Sequence, residues 1–324
     1  MGDVRQQYAH FAEHAAPGRS DVYEAWAQRV ASDDEVAQAL TRIPEQHRQP
    51  PLVFAVVRML GLDDDADAEA FAHFVTVHAD DLVRESATRG VQTNEPMRCA
   101  ALLPALSRIE GPLALLELGA SAGLCLYPDR YSYRYEPEDV TVALDPADGP
   151  SAVRLDAEWH GPAPLLHLPH VVWRAGIDLQ PRDARDADDR AWITGLVWPG
   201  EEERIERIVA ALDIVAAAPP RLVAGDAADL ELVRALAADA PNDATLVILT
   251  PGVLPYLTRE RRESLIGGIR TLDARWVTLD APALHDGWRE PIDPDTWQGG
   301  FALALDGEVL AAADPLGSWV RPRA

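Results

Sequence analysis

The chain has 324 residues and a mass of 35.3 kDa, which at about 150 residues per domain predicts two domains or one elaborated domain. Its 29 basic residues face 53 acidic ones, and the formal net charge is −24. An acidic surface repels phosphate backbones and anionic lipid, so we expect neither nucleic acid nor membranes as partners. Every basic residue is arginine, which excludes lysine Schiff-base chemistry and the P-loop lysine.

The cysteines and histidines provide no metal or disulfide framework. Cys99 and Cys125 are the two cysteines, and the histidine groups at 73–78 and 160–170 lack metal-ligand spacing. The first ten residues are polar, and no run of 18 apolar residues occurs. We therefore expect a cytoplasmic protein without a metal. The sequence does not indicate an oligomeric state.

The first 110 residues predict a helical cap domain. Apolar residues recur there at spacings of three and four, as in Phe71, Phe74 and Val75. Breakers separate the runs at Pro17-Gly18, Pro50-Pro51, Gly61, Gly90 and Pro96.

From residue 111 to 324 the pattern changes to short apolar runs that alternate with helical stretches, which predicts a parallel sheet covered by helices. Predicted strands are 113–118, 131–135, 140–144, 153–159, 171–179, 221–224, 244–250, 276–280, 301–305 and 308–312, and predicted helices are 121–130, 201–217, 227–238 and 259–272. The last two strands form a hairpin around Asp306-Gly307, which we expect at the edge of the sheet.

The run Glu117-Leu118-Gly119-Ala120-Ser121-Ala122-Gly123 is the most informative motif. An apolar strand ends there in an acid, and small residues open the predicted helix, where unpaired N–H groups bind a nucleotide-like ligand. Glu-x-Gly-x-x-x-Gly is typical of S-adenosylmethionine-dependent methyltransferases after their first strand. We therefore predict that Glu117, Gly119, Ala120, Ser121 and Gly123 bind this cofactor.

The same run also spells Gly-x-Ser-x-Gly, the nucleophile elbow of α/β-hydrolases, with Ser121 as nucleophile. Such an elbow follows several strands, whereas Ser121 follows the first predicted one. Asp280 and His285 come later in the order of a triad. An esterase therefore stays an alternative, as does a ligand-binding descendant of a methyltransferase without catalysis.

Two further acids end predicted strands and support cofactor binding. Asp178 ends the strand at 171–179 and is predicted to bind the ribose hydroxyls, with Asp145 as its competitor for that role. Asp226 follows the strand at 221–224 and is predicted to accept a hydrogen bond from the adenine amino group.

Polar residues in two other segments are predicted on the substrate side. Thr250 follows the fourth core strand, and Tyr256 lies in the loop beyond it. The polar cluster of Asn94, Glu95 and Arg98, before the first strand, contains more polar residues than a helix cap requires. We assign Asn94, Arg98 and Thr250 to substrate binding, and Glu95, His285 and Tyr256 to catalysis, with Glu95 or His285 as the base.

Along nearly its whole length the chain resembles the bacterial proteins grouped as domain of unknown function 2332. The motifs that carry the resemblance are Gly18-Arg19-Ser20, Gln49-Pro50-Pro51-Leu52, Gln92-Thr93-Asn94-Glu95, Glu117 to Leu124, Gly176-Ile177-Asp178-Leu179 and Ala313-Asp314-Pro315. The sequence departs from the family at Cys125, at Thr250-Pro251-Gly252 and at Leu316, where Asn, His-Ser-Ala and His are usual. The resemblance implies a helical region before a methyltransferase-like core, and no particular reaction.

These patterns together predict an α/β protein with a Rossmann-like, doubly wound, mostly parallel sheet that is methyltransferase-like and preceded by a helical N-terminal domain. The predicted function is S-adenosylmethionine-dependent methylation of a small molecule.

Overall fold

A computed structural model describes residues 3–137, 140–293, 295–297 and 299–323. The chain divides into two compact units. One takes the residues up to Thr93 together with Ala187–Val209, and the other takes Asn94–Asp186 and the residues from Ala210 on. This division places the helix at Arg98–Leu106 with the sheet, whereas the sequence-based boundary is residue 110.

The helical unit is built from short amphipathic helices. They are α1 (Val4–His14), α2 (Asp21–Ser32), α3 (Asp34–Thr41), α4 (Pro50–Met59), α5 (Ala68–Val77), α6 (Ala79–Ala87) and α8 (Ala187–Gly195). The predicted cap residue Ser20 accepts the Tyr23 N–H at the start of α2. Trp26, Phe54 and Phe71 fill the core, and the Trp26 and Phe71 rings stack with centroids 4.8 Å apart.

The sheet unit contains eleven strands in its described residues. They are β1 (Pro112–Leu118), β2 (Ser132–Glu136), β3 (Val142–Leu144), β4 (Arg154–Trp159), β5 (His170–Asp178), β6 (Arg221–Ala224), β7 (Thr245–Pro251), β8 (Arg275–Asp280), β9 (Phe301–Leu305), β10 (Glu308–Ala313) and β11 (Trp319–Pro322). Helices α7 (Arg98–Leu106), α10 (Leu230–Ala237) and α11 (Arg259–Ile269) belong to this unit, and α9 (Glu202–Ala217) runs from one unit into the other.

One mostly parallel sheet joins all these strands. Its order is β3-β2-β4-β11-β10-β9-β8-β7-β1-β5-β6, and the segment β8-β7-β1-β5-β6 is parallel throughout. If the core strands β1, β5, β6, β7 and β8 are renumbered 1 to 5 along the chain, their order across the sheet from β6 to β8 is 3-2-1-4-5, as in doubly wound sheets. Since β5 and β7 lie on opposite sides of β1, the winding direction reverses at the carboxyl end of β1.

The helix predicted from Ser121 is wrong. After Gly123, which has a φ of +75°, only a short 3-10 helix forms at Leu124–Leu126, and β2 follows. Pro128 lies four residues after Leu124 and disfavours helical backbone at the residue before it. The buried Tyr131 then donates its hydroxyl proton to the Leu124 carbonyl, which fixes the turn into the strand.

The predicted hairpin at the end of the chain is confirmed, but its place at an edge is wrong. Strands β9 and β10 pair antiparallel around Asp306 and Gly307, whose φ values are 53° and 81°. Strand β8 pairs with β9, β10 with β11, and β11 with β4, so the hairpin lies inside the sheet. Strand β11 was not predicted, because four residues ending in Arg-Pro give little alternation. In the described part of the chain, no helix is long and apolar enough to cross a membrane.

Candidate functional site

The carboxyl ends of the parallel strands bring several predicted site residues to one edge of the sheet. Glu117 lies near the end of β1, Asp178 ends β5, Thr250 lies near the end of β7 and Asp280 ends β8. In open α/β sheets, ligands bind beyond these ends, where the winding direction reverses. The reversal here lies between β1 and β7, beside Glu117.

The loop after β1 requires left-handed backbone at three positions. Gly119, Ser121 and Gly123 have φ values of 77°, 49° and 75°. Glycine adopts this region freely, whereas a serine there is strained. A Cβ on Gly119 would lie 2.8 Å from Val253 Cγ2. The glycines thus serve the close packing of this loop, whether or not a ligand approaches it.

Backbone donors of this loop are bound within the sheet unit. The N–H groups of Gly119 and Ala120 donate to the Ile177 carbonyl, the Ser121 N–H to Asp178 Oδ2 over 2.8 Å, and the Ala122 N–H to Asn94 Oδ1 over 3.2 Å. The predicted arrangement, a helix N-terminus with open N–H groups, is therefore not present. These backbone donors are therefore already used within the protein.

The structure separates the two competitors for the ribose role. Asp178 is half-buried at the loop after β1, where it accepts the Ser121 and Gln180 N–H groups. Asp145 follows β3 at the opposite end of the sheet and binds Arg134 through both carboxylate oxygens, at 3.0 and 3.1 Å. Asp178 alone of this pair lies at the carboxyl edge of β1.

The polar cluster before β1 lies at the start of α7 and joins the same edge. Glu95 is buried, and its Oε1 accepts the Met97 N–H over 2.9 Å, which holds the turn before α7; the helix itself has no side-chain cap bond. Arg98 reaches further, because its Nε–H donates to the Pro315 carbonyl at 3.0 Å and an Nη–H donates to the Pro251 carbonyl at 3.1 Å. Arg98 therefore ties α7 to the loop after β7 and to the loop before β11.

Two carboxyl groups besides Glu95 are buried at this edge. Glu117 is 3% exposed and Asp280 is 0% exposed. Burial raises the pKa of Glu117 well above its ordinary value, and it raises the pKa of Asp280 to about 8 against the lowering influence of Thr278, Arg98 and Arg262. Asp280 is the site residue that the sequence interpretation considered only as part of a triad. The sequence feature that could have identified Asp280 is the one used for Asp178, an acid at the end of a predicted strand.

His285 is buried beside Trp276 and Trp288, with ring centroids 5.6 and 4.0 Å away. Its Nδ1 accepts the Gly287 N–H over 2.9 Å. Burial, followed by the charges of Arg270 and Arg262, lowers the pKa of His285 to about 4. The imidazole is therefore neutral at pH 7.

Three other predicted site residues are either bonded to other groups or exposed on the surface. The Thr250 hydroxyl accepts the indole N–H of Trp276 over 2.9 Å. Asp226 accepts the Ala228 N–H and pairs with Arg261, and these contacts outweigh burial and lower its pKa. Tyr256 is 70% exposed on a short 3-10 helix. None of the three contacts the loop after β1 through a bond described here.

Several buried polar atoms at this edge lack hydrogen-bond partners in the described residues. Such atoms are normally hydrogen-bonded in native proteins. Among the described residues, the following buried atoms of the sheet unit's carboxyl edge have no hydrogen-bond partner: Asn94 Nδ2, Glu117 Oε2, Ser121 Oγ, Asp280 Oδ1 and His285 Nε2. In the same described part of the chain, no group of three or more His, Cys, Asp or Glu side chains is arranged to hold a metal ion.

The fold and this edge define an α/β protein with a large, mostly parallel sheet. The chain belongs to the DUF2332 family, described as uncharacterized protein conserved in bacteria, whose model matches residues 5–321. The family resemblance drawn from the sequence motifs is thereby confirmed. No curated protein and no solved structure matches the chain.

The family motifs of the sheet unit meet at the candidate site. Asn94 binds the loop after β1 through Ala122, and Asp178 binds it through Ser121. The Ala313-Asp314-Pro315 motif is joined to this group through Pro315, which accepts from Arg98. Asn94, Ser121, Asp178 and Pro315 lie in separate parts of the sequence, and the fold brings the segments that carried the resemblance to one edge.

Proposed function

We propose that the protein is an S-adenosylmethionine-dependent methyltransferase that acts on a small molecule. The observation that carries the proposal is the carboxyl edge at β1, where the winding reverses and Asp178 holds the Ser121 loop. Doubly wound sheets bind nucleotide-like ligands at this position, with an acid at the end of the second core strand on the ribose.

The hydrogen-bond acceptors at this edge suit such a cofactor. Glu117 Oε2 and Asp280 Oδ1 are buried acceptors without partners in the described residues, and the cofactor carries hydroxyl and ammonium donors and a positive sulfonium. Asp178 would accept the ribose hydroxyls beside the Gly119 to Gly123 loop. Asp226 would reach the adenine amino group only if its pairing with Arg261 is exchanged for the ligand.

The bound cofactor would supply an electrophilic methyl group, and the chain would orient the acceptor and exclude water. Asn94 offers a buried amide N–H for the acceptor, and Arg98 stands beside Pro251 at the end of β7. His285 is neutral and its Nδ1 accepts the Gly287 N–H, so the ring proton lies on Nε2, which would donate a hydrogen bond to the acceptor and would not serve as a base in this tautomer. We assign Glu95 a positioning role, because its carboxylate holds the start of α7.

Calorimetric titration with S-adenosylmethionine and S-adenosylhomocysteine tests this proposal directly. We expect saturable binding of both at one site per chain. Binding without methyl transfer to any acceptor would favour the ligand-binding descendant instead. Absence of binding by both ligands to the folded protein would overturn the assignment.

A hydrolase is the second candidate, and the backbone of Ser121 favours it. A φ of 49° is unusual for serine and is found at strained nucleophile turns. Against it, Ser121 is 4% exposed, and neither its Oγ nor His285 Nε2 has a hydrogen-bond partner in the described residues, so the two are not joined. Labelling of Ser121 by a fluorophosphonate, lost in Ser121→Ala, would establish this function.

A further inference from the structure

The two buried carboxyl groups at the carboxyl edge lack a matching positive charge. Glu117 Oε2 and Asp280 Oδ1 have no hydrogen-bond partner among the described residues, and both groups are almost fully buried. The other oxygen of Asp280 accepts the Thr278 hydroxyl over 2.7 Å. A buried carboxylate without a paired cation is costly, so either a proton or a bound cation must compensate it.

Arg98 does not provide that compensation by a direct bond. Its guanidinium lies within electrostatic reach of both Glu117 and Asp280. Its described hydrogen bonds go instead to the carbonyls of Pro315 and Pro251. Arg98 and Arg262 thus supply two positive charges near Glu117, Asp280 and Asp178, which leaves the region one negative charge in excess when these three carboxyls are ionised.

We propose that Glu117 and Asp280 recognise a positive charge at the reacting centre of the bound ligand, a sulfonium or an amine in its place. This inference rests on the proposed function, because it adds a rule of recognition to the same site. An ionised carboxylate oxygen without a partner can accept a hydrogen bond from an amine, and it attracts a sulfonium through its charge. Glu117 lies at the switch point beside β7, and Asp280 ends β8, next to β7 on its other side.

Binding of a cation should release a proton from Asp280, because its pKa of about 8 leaves this carboxyl mostly protonated at pH 7 in the free protein. Glu117 faces Cys125, Arg98 and Asp178, and Asp280 faces Arg98 on α7 and Arg262 on α11. Burial outweighs the two arginines and raises both pKa values. A ligand cation favours the ionised carboxyl, so the affinity for a charged ligand should rise with pH up to about 8 at Asp280.

The test compares three probes on the full-length protein by calorimetry at pH 6.5 and 8.5. S-adenosylmethionine carries a sulfonium, sinefungin carries an amine at the same position, and S-adenosylhomocysteine carries neither. We expect Asp280→Asn or Glu117→Gln to weaken binding of the two charged probes at least about tenfold, and that of the thioether less than about threefold. The surface variant Asp145→Asn is the matched control and should change none of them.

Proton release by the wild-type protein keeps the test independent of whether the variants fold. Titration at pH 7 in two buffers of different ionisation enthalpy should show more protons released by S-adenosylmethionine than by S-adenosylhomocysteine. Equal release by the two, or variants that keep the wild-type ratio of affinities, would overturn the inference. If both ligands bind but without discrimination, only this inference fails. If neither binds, the proposed function fails with it.

Discussion

The Ser121 N–H donates to Asp178 Oδ2 over 2.8 Å, so the carboxylate at the end of β5 holds the loop that follows β1. The two strands are parallel neighbours, with Leu118 aligned to Ile177. Left-handed backbone at a non-glycine residue costs about 1–2 kcal/mol, and a hydrogen bond to a charged acceptor offsets a cost of this size. Asp178 therefore shapes the loop before any ligand arrives.

Asp178→Ala should weaken binding of S-adenosylmethionine at least about thirtyfold, because hydrogen bonds to a charged group contribute about 1.5–3 kcal/mol each. Asp178→Asn keeps an acceptor for the Ser121 N–H and should fall between alanine and wild type. Calorimetry gives the affinities. Asp145→Ala is the control, since it removes a carboxylate bound to Arg134 at the far end of the sheet. A larger loss of affinity in Asp145→Ala than in Asp178→Ala would contradict the ribose assignment.

Gly119→Ala should destabilise the protein by about 1–3 kcal/mol, because its Cβ would meet Val253 and because Gly119 has a φ of 77°. Gly267→Ala is the matched control, since a Cβ there meets nothing within 4 Å, and a helical alanine is expected to stabilise slightly. Urea unfolding measures both. The double variant Gly119→Ala with Val253→Ala should recover part of the loss, and equal stability of Gly119→Ala and wild type would refute the steric argument.

The sequence predicted the core strands well, because each has an apolar run that ends in a polar residue, as at Asp178 and Asp280. It also predicted strands at the positions of β2, β3 and β4, but not their place at the far end of the sheet beside β11, since strand partners leave no local signal. The loop after β1 shows the same limit. Its glycine pattern indicated a tight turn correctly, but the partners of its N–H groups, Asn94 and Asp178, are set by tertiary packing.

Asp280 should make stability fall as the pH rises from 6.5 to 8. Its pKa is about 8 in the folded protein and near 3.9 in an unfolded chain. Between these values the folded state keeps a proton that the unfolded state has lost, so stability falls with rising pH by up to about 1.4 kcal/mol per pH unit. Urea unfolding at several pH values should give a shallower slope for Asp280→Asn than for wild type.

Measuring between pH 6.5 and 8 separates the effect of Asp280 on stability from that of His285. The pKa of His285 is lowered to about 4, so its contribution to stability is lost as the pH falls from about 6.5 towards 4 and is constant above. Glu117 has a raised pKa and contributes with the same sign as Asp280, so the difference between wild type and Asp280→Asn isolates Asp280. Parallel slopes for the two proteins would show that Asp280 does not hold its proton in the folded state.

Arg98→Gln should destabilise the protein by about 3 kcal/mol, because it removes charge-assisted hydrogen bonds to two carbonyl groups that hold separate loops to α7. The stability of Arg98→Lys should lie between those of the wild type and Arg98→Gln, since one ammonium does not reproduce the guanidinium's two separated bonds. Arg130→Gln is the control. Its side chain is 54% exposed and pairs with Asp129 at 3.6 Å, so a loss of at most about 1 kcal/mol is expected. Urea unfolding of the three variants measures the order, and an Arg98→Gln protein as stable as Arg130→Gln would mean that Arg98 does not tie these loops together.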